Sequence, residues 1–449
     1  MRNMLKSRRG SAAFATVVAL IPLMGAIALG GEAGTWYVTR HHAQNAADAA
    51  AYSGALALSC SLAASSSVSS CIDTNTFEYR GKQFAAQNGF CNSGDTSYPG
   101  SRCITSMPTG TSQTVTITQL TTWNGDTGNF VQANVSQQQP AFLAKFLGLS
   151  TVTIAARGTA KIVEVTNPCV LALKDSITFQ GSTTVNSPKC GLASNNTSQN
   201  SVDFTGNGLN VTNVGTISGA GGCKDTGGAQ CGKAITFAPP SPDPLSGLNA
   251  AISALTPANF TGGSCGSTLK AYGPATSTTG PCYNTTWPSG NVTLSGVYFL
   301  TGDIRINGSP TISGTATLIL MPPKFLNASD TGATLTITGN PTIQLTALDS
   351  VSTTQVPAAM ASVVGLMSKL LIYDPEVSSN LKISGNSSSY FNGITYAPNA
   401  DVLYQGSTAS YTCVEVIAKG VQLSGNSYFD NTGCPASVMA HSRYVRMVP

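Results

Sequence analysis

LKISGNSSSYFNGITYAPNADVLYQGSTASYTCVEVIAKGVQLSGNSYFD, residues 381–430, sets short β-forming pieces close together: KIS, GITYAP, VLYQG, VEVIAKG and VQLSG. The pieces are rich in Val, Ile, Leu and Tyr, and Gly, Asn and Ser fill the gaps as turn formers. Related pieces lie upstream: ITFQGSTTV (177–185), VDFTGNGLNV (202–211), IRINGSPTI (304–312) and LTITGNPTI (335–343). Taking Ile306, Ile337, Ile383 and Leu423 as equivalent gives separations of 31, 46 and 40 residues. The last two are about twice 20–23, a turn length for stacked short strands. A strand this short cannot bury its apolar face alone, so stacking makes the core. The expected fold of the C-terminal region is a repeat-like parallel β-helix, with a β-sandwich as the alternative.

Working outward, residues 290–449 form this repeat region, residues 246–289 a cysteine-containing loop region, and residues 167–245 a β-rich lobe that ends in a proline-rich linker, PPSPDP (Pro239–Pro244). Residues 32–166 alternate differently. AGTWYVTRHHAQNAADAAAYSGALAL (33–58) lacks proline and is rich in helix formers, with Ala43, Ala47, Ala50 and Gly54 as a small-residue stripe for close helix packing. Phe77–Gly89 reads as a helix ending at Asn88-Gly89, Val115–Leu120 and Phe130–Val135 as strands, Pro140–Gly148 as a short amphipathic helix, and Val152–Ala156 and Thr159–Val165 as further strands. The fold class is α+β with a predominantly β C-terminal region.

The N-terminus carries Arg2, Lys6, Arg8 and Arg9, then no charge from Ser11 to Gly31 (SAAFATVVALIPLMGAIALGG). That run is about 31 Å as a helix, the thickness of a bilayer core. Residues 1–31 are thus a basic cytoplasmic flank and a transmembrane helix, with Ser11, Val17, Leu20, Pro22 and Leu29 along the anchor. Pro22 is tolerable in a membrane helix. The expected location is a bacterial inner membrane, single-pass, with a periplasmic or extracellular ectodomain. Two rivals are a secretory signal cleaved at Ala26-Ile27-Ala28 and a prepilin leader cut after Gly10, where Ala15 replaces the usual Glu.

Only 9% of the 449 residues are charged, and the net charge of +4 gives no reason to expect nucleic acid as a partner. The twelve cysteines fall into neighbouring couples: Cys60/Cys71, Cys91/Cys103, Cys169/Cys190, Cys223/Cys231, Cys265/Cys282 and Cys413/Cys434. An even count in an exported chain reads as disulfides, with neighbour pairing the simplest arrangement. Zinc is the rival for such clusters, but C-x-x-C is missing and histidine is scarce, so neither metal nor cofactor is expected.

The N-terminal third resembles the TadG-type proteins of tight-adherence (Flp) pilus systems. The carrying residues are RRGSAAFATVVALIPLMGAIALGGEAGTWY (8–37), then Arg40 and QNAADAAA (Gln44–Ala51), FAAQNG (Phe84–Gly89) and PAFLAKFLGLSTVTIAARGTA (Pro140–Ala160). Glu32 stands where Asp is more usual. The resemblance covers about residues 8–165. It implies an envelope or pilus-associated structural protein, part of the secretion apparatus or its surface adhesin, whose partners are pilus or secretion-system subunits. Asp48, among the alanines of the helix, is either a partner for a basic group or a solvated residue.

Catalytic readings are weaker, and the chain is not expected to be an enzyme. Gly262–Gly266 (GGSCG) matches G-x-S-x-G, but its flanks offer no strand-to-helix elbow. His41-His42 point apart on a helix. A β-helix raises the alternative of an exported protein acting on or binding polysaccharide, but Asp303, Arg305, Asp374, Glu376 and Asp401 are scattered. Tyr390, Tyr396, Tyr404, Tyr411 and Tyr428, among Ser, Thr and Asn, could form a carbohydrate- or surface-binding face or a solvated β surface.

Overall fold

The uncharged run and the alanine-rich stretch after it fold as one helix, α1 (Arg8–Ala64), which runs through Pro22. This computed structural model describes residues 8–64, 74–165, 167–206, 208–226, 230–238, 240–377, 381–405, 411–440 and 442–449. The chain forms two units: the first holds α1 as far as Leu62, residues 74–163 and Val445–Pro449; the second is built mainly of Glu164–Tyr444.

In the first unit, α2 (Phe77–Gln87) starts at Thr76, whose side chain accepts the Tyr79 N–H, and ends at Asn88. Three long strands follow: β1 (Ser112–Trp123), β2 (Asp126–Pro140) and β3 (Thr151–Val165). They pair antiparallel in sequence order. Asn124-Gly125, both at positive φ, close the first hairpin, as a two-residue turn of matching twist requires. The sheet is completed by Ser442–Val448, placed beside β3.

Three sequence readings change here. The C-terminal residues, expected in the repeat region, belong to the first sheet; SRYVRMV reads as a strand locally, but its neighbour is fixed only by tertiary packing. Val152–Ala156 and Thr159–Val165 are halves of one strand, in unbroken register with β2 across Arg157-Gly158. Pro140–Gly148 yields only a 3₁₀ turn, Ala144–Leu147, with Pro140 still in β2. The physical reason is an acid from α1: Glu32 Oε1 accepts the Phe142 N–H at 2.7 Å, and Oε2 accepts those of Leu143 and Ala144 at 2.9 and 3.0 Å.

The second unit is mostly β with some helix, and its strands are parallel. Val292–Leu300 pairs with Thr311–Leu320, and that strand with both Thr342–Thr346 and Leu370–Tyr373. These two pair with Tyr390–Gln405, which pairs with Val414–Tyr428. The last strand pairs with Pro168–Ala172 and Ile177–Ser187. A sandwich would pair its strands antiparallel; among the described residues of this unit the strand-to-strand registers are parallel. The expected early lobe and repeat region are therefore one sheet system, closed round an apolar interior.

The described part of the proline-rich segment is packed, not a free linker. Ser241 and Leu245 are buried, and Asp243 Oδ2 accepts the Tyr396 hydroxyl at 2.7 Å. Beyond it, α3 (Ser246–Ser253) sends Leu248 and Ile252 into a second apolar cluster with Val297, Phe299, Ile319, Tyr373, Ile394 and Tyr396. Neighbouring side chains on the same strands, Tyr298, Leu318, Ile372 and Ala397, belong to the interior cluster. Both faces of these strands are covered, which explains runs such as VYFL and LLIY that do not alternate.

The positions taken as equivalent fall into two registered groups, with no strand pairing among the described residues between Ile337 and Ile383. Ile306 pairs with Ile337, Ile383 with Tyr404, Tyr404 with Leu423, and Leu423 with Phe179. The 40-residue interval thus holds two steps, with Tyr404 between. The 46-residue interval holds an excursion instead: Thr353–Gln355 and Ala358–Met367 are 3₁₀ segments between two strands that share the same neighbours.

Five disulfides join neighbouring cysteines: Cys91–Cys103, Cys169–Cys190, Cys223–Cys231, Cys265–Cys282 and Cys413–Cys434. Cys60 is also disulfide-bonded, and Cys71 lies outside the described residues.

Candidate functional site

The length of α1 divides into two faces with different company. Along the anchor, Val17, Leu20, Leu23, Met24, Ile27 and Leu29 are exposed. Pro22 is exposed too, and Ser11 lies in the first turns of the helix. The helix is long and apolar enough to cross a membrane.

From residue 43 the helix lies on its own sheet. Ala43, Ala46, Ala47, Ala50, Ala51 and Ala55 are fully buried, with Val131, Ala133, Ala156 and Ala160 in the same cluster. Small side chains let helix and sheet approach until backbone touches backbone. A Cβ on Gly158 would sit 2.6 Å from the Ala47 carbonyl oxygen, and one on Gly54 would sit 3.0 Å from Val131 Cγ1. The stripe Ala43, Ala47, Ala50 and Gly54 is thus covered within the chain. The exposed run before it is open to other company, as are Tyr52 and Leu56 on the far side of the alanine stretch.

Polar groups fix the register of this seam. Arg40 Nη1 donates to the Ala155 carbonyl at 2.9 Å, and Gln44 Nε2 donates to the Arg157 carbonyl at 2.9 Å and to Asp48 Oδ1 at 2.8 Å. Asp48 is half-buried and bonded to an amide, so it answers to neither sequence reading. It lines a cleft with Gln44, Trp123, Arg157, Thr159 and Pro449. There the Arg157 guanidinium lies 4.7 Å from the Trp123 ring centre, and Trp123 Nε1 donates to the Pro449 carbonyl at 2.9 Å.

This geometry is what the sequence comparison picks out. Residues 10–57 match the family model of putative Flp pilus-assembly TadE/G-like proteins. The match lies wholly on α1 and takes in both the exposed run and the alanine face. No curated protein and no solved structure matches the chain. This TadE/G-like segment is shorter than the resemblance read from sequence, and FAAQNG and Pro140–Ala160 fall beyond it.

The catalytic candidates are placed apart. Ser264 stands in a loop beside the Cys265–Cys282 bond, and its hydroxyl meets only Thr285 and the Gly266 N–H. His441 lies outside the described residues. His41 and His42 are exposed, the former edge-on to Tyr37. Asp303 pairs with Arg305 at 3.3 Å, and Asp401 lies 3.9 Å from Lys419. Among the described residues, no three His, Cys, Asp or Glu groups gather as a metal site. Tyr396 and Tyr404 are core residues rather than part of a binding face, while Tyr390 packs against Tyr411 with the rings tilted and Tyr428 bonds Asp430.

Asp374 and Glu376 are buried, as is Glu415, which sequence reading passed over inside VEVIAKG. Burial pushes the Asp374 carboxyl up to about 7, opposed by the Glu376 N–H and reinforced by the Glu376 charge. Burial raises Glu415 well above the usual carboxylate range. In the folded chain Asp374 therefore keeps a proton that the unfolded chain releases near 3.8. Stability contributed by this group is complete at low pH, falls as pH rises from about 4 to about 7, and then levels, a loss on the order of 4 kcal/mol at most. Asp374→Asn, which mimics the protonated acid, is expected to make that decline shallower in urea titrations across this range. Equal slopes in parent and variant would refute the assignment.

Proposed function

We propose that this chain is a membrane-anchored structural component of a tight-adherence (Flp-type) pilus or its secretion system, with an adhesive rather than a catalytic role. The observation that carries the reading is a single helix whose exposed apolar run continues, without a break, into an alanine face clasped by its own sheet. Residues 11–31 span the inner membrane, the basic flank stays in the cytoplasm, and the rest of the chain lies outside. Pilus or secretion-system subunits are its partners.

The second unit is read as coils of a parallel β-helix displayed outward. Support comes from the ladder Ile383, Tyr404, Leu423 and Phe179, and from the turn glycines that follow such positions. Gly308, Gly339, Gly425 and Gly181 all adopt positive φ, and a Cβ on Gly339 would sit 2.4 Å from the Gly308 carbonyl, as stacked turns demand. A surface or carbohydrate ligand would be met by this unit.

Deleting the gene is the test, with fractionation of the parent strain alongside. The expected result is loss of surface attachment, restored by the full chain, and a chain that resists alkaline extraction from membranes. A deletion strain that attaches normally would count against the adhesive role.

A further inference from the structure

We propose that the turn 141–149 of the first unit is a membrane-surface contact, which sets Phe142 and Leu149 into the headgroup layer beside the emerging helix; this rests on the anchoring reading above. Phe142 is 75% exposed and Leu149 48% exposed, although both belong to an ordered turn. Exposure of two large apolar groups on one short turn calls for a partner.

The turn's height identifies that partner. Glu32 is the first charged residue after the uncharged run, next to its last residue, Gly31. Its carboxylate holds the N–H groups of Phe142, Leu143 and Ala144 at 2.7–3.0 Å. The turn is thereby clamped to α1 at the level where the helix leaves the hydrocarbon, not farther along it. Trp36, half-buried, and Tyr37, 66% exposed, follow within about one and a half turns of the same helix. Aromatic residues at this level are the usual occupants of the headgroup layer. The charge agrees as well. Residues 139–150 (QPAFLAKFLGLS) contain no acid, and Lys145 is exposed on the turn, suited to anionic lipid headgroups.

Phe142→Trp in the full chain tests this, because an exposed position accepts the larger ring. Parent and variant are reconstituted in phosphatidylcholine–phosphatidylglycerol vesicles with lipids brominated in the upper acyl chain. Co-flotation reports anchoring independently. The expected result is that the variant floats and that its added emission falls roughly twofold with brominated lipid, as for a ring in the interfacial layer. A chain that floats while the added emission is untouched overturns the contact and leaves the anchor standing. A chain that does not float overturns both.

Discussion

Gly158→Val is expected to lower the melting temperature of the first unit by on the order of 5–10 °C, from overpacking worth about 2–3 kcal/mol. Gly158 sits in the middle of β3, and a Cβ there would come within 2.6 Å of the Ala47 oxygen, 2.7 Å of its carbonyl carbon and 2.7 Å of Asp48 Oδ1. Two of these atoms are backbone, so no rotamer change relieves the clash. The helix cannot simply lift, because Arg40 and Gln44 bond the carbonyls of Ala155 and Arg157 on either side. Separating the two would also open the alanine cluster, where burial is close to complete. Gly34→Ala in the same helix is the control: nothing lies within 4 Å of its Cβ, and alanine favours a helix. It should leave the midpoint unchanged or raise it slightly. Thermal unfolding followed by circular dichroism reads both, and equal midpoints would sink the backbone-contact account.

That contrast also marks what the sequence could reveal. The alanines of QNAADAAA announce a close-packed face through their spacing, but not its partner. The pattern fits a second helix as well as a sheet, and the deciding residue, Gly158, stands more than a hundred positions away inside what reads as two strands. The acid at position 32 is visible in the sequence as the charge that ends the apolar run, and the family resemblance places an acid there. Its work on the 142–144 amides depends on a contact that no local pattern encodes, and it turned an apparent amphipathic helix into a clamped turn. The C-terminal strand was hidden for the same reason: a strand's alternation is local, its neighbour is not.

The second unit was more legible, because parallel stacking repeats one local motif. An apolar residue, a polar one and a turn glycine recur at Ile306, Ile337, Ile383 and Leu423, and the first three residues of each motif sit on a strand or leave one. Periodicity failed between Ile337 and Ile383, where 3₁₀ segments intervene. The 3₁₀ segments Thr353–Gln355 and Ala358–Met367 lengthen this interval, and spacing alone could not tell such an excursion from a second turn. Tyr404 was missed as a rung because its tyrosine ring suggested a binding surface. Glu415 was missed because charge in a strand normally signals solvent, whereas here it sits in a buried stretch, Val414–Ala418.

Tyr404→Ala should accordingly cost the second unit about 3–5 kcal/mol, the range for removing a large buried ring. Tyr404 is 1% exposed, its backbone is registered between Ile383 and Leu423, and its ring centre lies 5.0 Å from that of Phe429. Removing the ring takes contacts from both neighbouring rungs at once and leaves a hole that two short strands cannot close without losing register. Tyr404→Phe keeps the shape and should cost less than about 1.5 kcal/mol. If Tyr404 were instead a surface residue displayed for a ligand, both variants would melt like the parent and differ only in binding. Urea unfolding followed at the second unit separates these cases. A ring that holds adjacent strands in register gives a large loss for alanine and a small one for phenylalanine. The defect should be centred on residues 381–430 and readable by hydrogen exchange as early opening of those strands.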